Sequence, residues 1–206
     1  MRKHLSAALL TLASAGLAVG LSATSALAAT TWSVSPGGSI SGSAGTTKVT
    51  DTTSGLTVTC TSSTLSGSLK SGTGLAGKGL GTVTSLNFNN CTVDGLTLSL
   101  SSGTVAWKLN AASFSSGVTH GTISGIHFVI SSSACSAVID GTGGSAHNGK
   151  VKITYTNSTG KLKVLAKGDN LHVYKVNGCL GAISNGDAGT ITGTYTVSPK
   201  QTIKGS

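Results

Sequence analysis

The feature that most restricts this chain is an apolar residue at every second position, recurring in one short segment after another. In Leu56-Thr57-Val58-Thr59-Cys60-Thr61 one side is apolar and the other is threonine. Leu96, Leu98 and Leu100 alternate with Thr97 and Ser99, and Val151, Ile153 and Tyr155 with Lys152 and Thr154. Leu162 and Val164 sit between Lys161 and Lys163, while Ile191, Tyr195 and Val197 oppose Thr190, Thr192, Thr194 and Thr196. Successive side chains of an extended backbone point to opposite faces, so these are strands with one face in a core and one in water, the habit of antiparallel sheet. Threonine suits the wet side because its branched Cβ fits an extended backbone. No segment carries a capped helical stripe, which leaves at most a turn near 111–116.

Gly, Asn, Asp and Ser divide the strands at Asp94-Gly95, Asn148-Gly149, Gly168-Asp169-Asn170 and Asn177-Gly178. Asn148-Gly149 and Asn157-Ser158-Thr159-Gly160 read as hairpin connections, because Gly and Asn accept positive φ at little cost. The segment 151–156 should then pair with 161–165, with 171–176 following as a third strand. Of 206 residues, 62 are Ser or Thr and 30 are Gly, yet only 9% are charged. Such a chain has too much patterned Val, Ile and Leu to be a disordered polar tail. The expected fold is all-β, one antiparallel sandwich or barrel of about ten to twelve strands. A weak echo links Gly81 through Phe88 with Gly121 through Phe128, position by position in character. The spacing is too irregular for a repeat protein, and equivalent strands of one fold or chance would also produce it.

The first residues have the plan of an export signal. Arg2, Lys3 and His4 precede an apolar stretch from Leu5 to about Leu21, and Ala26-Leu27-Ala28 supplies an A-x-A cleavage site. We expect cleavage after Ala28, leaving residues 29–206 as a single secreted β-domain without a transmembrane segment. That domain contains all four cysteines, Cys60, Cys91, Cys135 and Cys179. An even number in an exported chain fits two disulfides. The pairing Cys60–Cys91 with Cys135–Cys179 is favoured because consecutive strands tend to be neighbours, although the spacing also allows a crossed pairing. The separations lack the short C-x2–4-C pairs of structural zinc sites.

Residues 29–206 hold 12 Lys and no Arg against five Asp and no Glu, a formal charge of +7. Nucleic-acid recognition leans on the planar, bidentate guanidinium, so its absence argues against that partner and leaves an anionic envelope or extracellular polymer. Lys150, Lys152, Lys161 and Lys163 should form a basic stripe on a wet sheet face, with protection of a sheet edge as the structural alternative. Trp107 reads as core, whereas Trp32 either pins the first strand or stands exposed as a sugar or lipid contact. Paired-carboxylate catalysis is poorly served, since Asp51, Asp94, Asp140, Asp169 and Asp187 lie in turn-like segments suited to Asx-turns. His120, His127, His147 and His172 lack both an H-E-x-x-H pattern and a G-x-S-x-G elbow beside them. No catalytic residue, cofactor or metal is assigned.

The Ala-rich leader, TWSVSPGGSISGSAGTT at 31–47, LTVTCTSSTLSGSLKSGTGLAG at 56–77, TYTNSTGKLKVL at 154–165 and GTYTVSP at 193–199 resemble small uncharacterised secreted proteins of streptomycetes and related actinobacteria. The resemblance implies a bacterial extracellular location and two disulfides, and it carries over no activity or ligand. In that setting Asn90-Cys91-Thr92 and Asn157-Ser158-Thr159 are incidental matches to the glycosylation pattern. The reading is a secreted, non-enzymatic protein that binds an extracellular or cell-surface component. Its rivals are a carbohydrate or lipid binding module, an extracellular inhibitor or effector, and a hydrolase with a histidine in reach of a serine and an aspartate.

Overall fold

The computed structural model describes residues 31–103, 106–144 and 147–206, so the expected leader and its cleavage point lie outside the described residues. The chain enters as β1 (Trp32–Ser35), β2 (Gly38–Ala44), β3 (Thr47–Asp51), β4 (Thr57–Leu69) and β5 (Gly72–Leu75). It continues through β6 (Gly81–Val93), β7 (Leu96–Ser101), β8 (Trp107–Ser115), β9 (Val118–Ile126), β10 (Phe128–Ser131) and β11 (Cys135–Asp140). The last five strands are β12 (Gly149–Thr156), β13 (Lys161–Val164), β14 (Leu171–Gly178), β15 (Ala188–Ser198) and β16 (Thr202–Gly205). The expected all-β fold is present, with sixteen strands among the described residues rather than ten to twelve. Several of these strands are only four residues long.

All pairings are antiparallel, and they close the large sheet upon itself in two rings. The first ring runs β15-β13-β12-β9-β8-β6-β4-β2 and back to β15. The second runs β15-β3-β4-β6-β7-β10-β11-β14 and again back to β15. The rings share β4, β6 and β15. Two of these strands have 13 residues and the third has 11, so the longest span about 43 Å at ordinary strand rise, enough to serve both rings. The alternation read from the sequence points into these rings: Val58, Cys60, Val151, Ile153, Tyr155, Leu162, Val164, Ile191, Tyr195 and Val197 are all buried. Both favoured disulfides form, Cys60–Cys91 across directly paired positions of β4 and β6, and Cys135–Cys179 between the start of β11 and the residue after β14.

A separate three-stranded sheet, β16-β1-β5, closes the free end of the first ring. Gln201 anchors it from a fully buried position. Its backbone N–H donates to the Tyr155 hydroxyl (2.8 Å) and its carbonyl accepts from the same hydroxyl (3.0 Å). Its side chain accepts from Gly37 N (2.8 Å) and donates to Pro199 O (2.9 Å), so every polar group that burial takes from water is repaid by a bond. Beneath this cap the first ring is filled, with residual cavities of only about 50 and 30 Å3.

Several local expectations change once neighbours are known. The hairpin at Asn157–Gly160 forms, joining β12 to β13 in the register Thr156 to Lys161. Asn148-Gly149 makes no hairpin: β11 lies in the second ring and β12 in the first, so this dipeptide carries the chain between rings. The strand after β13 does not pair with it, because β13 closes on β15 and β14 is taken by β11 and β15. Of the turn expected near 111–116, residues 111–115 are extended, since β9 holds Ala111 opposite Gly121 and Phe114 opposite Thr119, and the turn falls at Ser116-Gly117. The two echoed segments follow equivalent courses from the first ring into the second, and the rings of Phe88 and Phe128 meet edge to face at 5.5 Å. Trp107 packs on Phe128 in the same way, 4.9 Å away.

Close approach of the long strands requires glycine. A Cβ at Gly67 would overlap the Thr82 carbonyl oxygen of β6, whereas one at Gly45 would meet nothing within 4 Å. Gly67→Ala should lower stability by about 1–3 kcal/mol, the usual cost of overpacking. Gly45→Ala should leave the thermal melt within about 0.5 kcal/mol of the parent. Equal melting temperatures for the two variants would contradict this account of the shared strands.

Candidate functional site

The outer wall of the first ring gathers cations. Register places Thr82, Lys108, Ser124 and Lys150 in one row across β6, β8, β9 and β12, with Asn110, Thr122 and Lys152 beside it. Lys108 and Lys150 stand two strands apart, about 10 Å at ordinary strand spacing. Lys70, just after β4, and Lys78, just before β6, approach the same place, and the four lysines line one open groove of about 640 Å3. Its floor is built: Asn110 Nδ2 donates to Thr122 Oγ1 (3.3 Å) and Ser124 Oγ (3.1 Å), and Asn110 Oδ1 accepts from Gly79 N (2.9 Å). Among the described residues no carboxylate lines this groove.

The expected stripe is therefore only partly assembled. Lys150, Lys152, Lys161 and Lys163 do share the outer face, but Lys161 and Lys163 oppose Thr156 and Thr154 rather than the other two lysines. Lys163 belongs to a second groove with Lys48 and Lys167, and Lys161 Nζ donates to Thr196 Oγ1 (2.7 Å). Edge protection does not explain them, since β12 and β13 are each paired on both sides. Lys70, Lys78 and Lys108 escaped the sequence reading because they join Lys150 only through the pairings β6–β8, β8–β9 and β9–β12, which local alternation does not specify. Trp32 requires a correction as a surface contact. It is 2% exposed, with its indole against Gly77, because β1 is the middle strand of the cap.

Among the described residues one histidine ring bonds an aspartate, away from the lysine groove. His127 Nδ1 lies 2.9 Å from Asp140 Oδ2, and the His127 and His147 rings stack in parallel at 4.1 Å. Asp140 is fully buried and also accepts from Gly141 N (2.6 Å), Asn148 N (3.0 Å) and His147 N (3.2 Å). Burial alone would raise its pKa, but the hydrogen bonds from His127, Gly141 and Asn148, with the His127 charge, leave it lowered. Among the described residues no serine hydroxyl bonds a histidine ring nitrogen, and the bonds to Asp140 pin the segment after β11. Nor do three or more His, Cys, Asp or Glu among the described residues gather as a metal site. Asx-turn bonding holds for Asp51, which accepts from Thr53 N (2.8 Å) and Ser54 N (3.0 Å).

Asp169 sits beside the lysine wall, where β15 leaves β13 for β14. Burial raises its pKa to about 6, against the opposing pull of the Lys152 and Ile191 N–H groups and the Lys152 charge. One oxygen accepts from Lys152 N (3.2 Å), and the other is buried without a hydrogen-bond partner.

No helix among the described residues is long and apolar enough to cross a membrane. Comparison of the chain with models of protein families, with curated proteins and with solved structures found no match.

The two aspartates give opposite pH effects. The lowered Asp140 contributes stability that is fully present above about pH 4 and is lost as the pH falls through its native value. Asp140→Asn should cost about 2 kcal/mol at neutral pH by setting an amide donor against His147 N–H, with the gap to the parent narrowing below about pH 4. Asp169 is raised, so the native state binds its proton more tightly and stability falls as the pH rises from about 4 through 6. Asp169→Asn should therefore stabilise by about 1–2 kcal/mol at pH 7 and by little at pH 4. Urea titrations across pH 3–8 check both, and parallel profiles for the parent and Asp169→Asn would refute the second.

Proposed function

We propose that this chain is a secreted, non-enzymatic binding module that holds an anionic extracellular or cell-surface polymer in the lysine-lined groove of the first ring. The carrying observation is the convergence of Lys70, Lys78, Lys108 and Lys150 on one concave surface without a carboxylate. Lysines retained only for solubility would be dispersed to reduce mutual repulsion. Crowding four like charges raises the local potential and attracts a multiply charged anion. Lysine is a compact point charge without the fork that reads bases bidentately, so the groove suits repeated phosphate, sulfate or carboxylate groups rather than a nucleic-acid sequence. The Asn110–Thr122–Ser124 floor adds neutral partners between the charges. The leader pattern and the two disulfides support an exported protein, because such bonds persist in oxidising compartments.

The groove is open, so its attraction should be strongly screened by salt. Retention on immobilised polyphosphate and polyglutamate, measured against ionic strength, is the test. Replacing Lys70, Lys78, Lys108 and Lys150 together by Gln should weaken retention at least about ten-fold and flatten the salt dependence. Replacing Lys161, Lys175, Lys200 and Lys204 removes the same charge outside the groove and should change retention much less. Equal losses from the two folded variants would reduce the effect to net charge and overturn the proposal.

A further inference from the structure

The second ring is not closed like the first. Its far end is bounded by the start of β4, the β6–β7 hairpin, the β10–β11 turn and the segment after β14, and there the interior opens to water. Along β7 the inward-facing leucines trace the depth: Leu100 is 7% exposed at the floor, Leu98 is half-buried, and Leu96 is 69% exposed at the lip. The resulting cavity is about 200 Å3, several times either residual space in the first ring. Its wall is built by Leu56, Val93, Leu98, Ile130, Ile183 and the Cys135–Cys179 disulfide.

At the lip, Leu180 is 98% exposed although it borders the cavity. It is held there by left-handed backbone at Cys179 (φ 62°), Leu180 (φ 48°) and Gly181 (φ 76°). Left-handed backbone is unfavourable for leucine, and strain of this kind gathers where a side chain is held for a purpose. The disulfide at Cys179 ties the turn to β11, so the lip is formed in advance.

We propose that this mouth binds a single short alkyl chain whose head group is not anionic, with Leu180 and Leu96 closing over it. Size limits the occupant: an α-helix is about 10–12 Å across with its side chains and cannot enter. An apolar cavity of about 150 Å3 stays dry and takes up benzene, so this one accommodates a somewhat larger apolar group. Charge limits the head: among the described residues Asp94, on the β6–β7 turn, is the only charged one lining the mouth, while the lysine groove opens on the other ring. The site is therefore independent of the polymer reading.

Isothermal titration of the intact protein with octyltrimethylammonium, octyl glucoside and octanoate, each below its micelle concentration, tests this. The first two should bind at one site per chain with little salt dependence, and octanoate should bind several-fold more weakly at low salt. Asp94→Asn should remove that difference. Leu96→Asp combined with Leu180→Asp changes only exposed positions, so folding should survive while octyl binding falls at least about ten-fold. The lysine-groove variant should bind the probes unchanged. Absence of saturable binding by every probe would overturn the proposal. So would a dimer in solution that dissolves on Leu180→Asp, which would make a second copy the occupant. Equal affinity for octanoate would end the head-group assignment.

Discussion

Three strands must each satisfy two rings, and the rest of the molecule follows from that requirement. β4, β6 and β15 pass from one closed ring into the other, so along each of them the hydrogen-bonding neighbour changes partway. A backbone group stranded at such a change is costly unless something replaces the lost partner. Buried polar side chains stand at these places. Beside β4, where β2 gives way to β3, Thr47, Ser63 and Tyr195 form a hydroxyl chain with links of 2.7 and 2.9 Å. Beside β6, Ser102 donates to the Leu86 carbonyl at 3.0 Å. Beside β15, the half-buried Asp169 stands where β13 gives way to β14 and accepts from Lys152 N of β12 at 3.2 Å.

Closure also explains how the surfaces divide. A closed sheet has no free edge in its wall, so the lysines on β8, β12 and β13 are not needed to prevent strand addition there. Their outward row is available for ligands, and the inward row is given wholly to packing. The glycines that let β4 approach β6 and β8 approach β9 keep that wall continuous, since a Cβ at Gly67 or Gly121 would strike a neighbouring carbonyl.

The two ends differ for a reason that lies in the chain's path. β1, β5 and β16 are near each other in space only at the first ring, where Gln201 and Tyr155 fasten them as a cap. Among the described residues no comparable sheet reaches the second ring, whose rim is stiffened by Cys135–Cys179. The molecule therefore combines a plugged ring bearing a cationic groove with an open ring bearing an apolar mouth. Asp140, fastened to His127 and to the backbone on either side of its loop, steadies the passage of the chain from one to the other.

Much of this architecture was legible before any coordinates. Strand period is a local property, so alternation at 56–61, 151–155 and 191–197 identified both the all-β class and the inward residues. The hairpin at Asn157–Gly160 followed from the same local logic, whereas the favoured cysteine pairing formed between strands that are not consecutive, β4 with β6 and β11 with the end of β14. Partner choice is not local. Nothing near Asn148-Gly149 says that the next strand belongs to another ring, and nothing near Trp32 says that a cap will cover it. Lys70, Lys78 and Lys108 join Lys150 only because β6 pairs with β8 and β9 with β12, partners that lie well apart in the chain. Alternation tells which way each side chain faces; which faces meet depends on long-range closure, and that was decided by the tertiary structure alone.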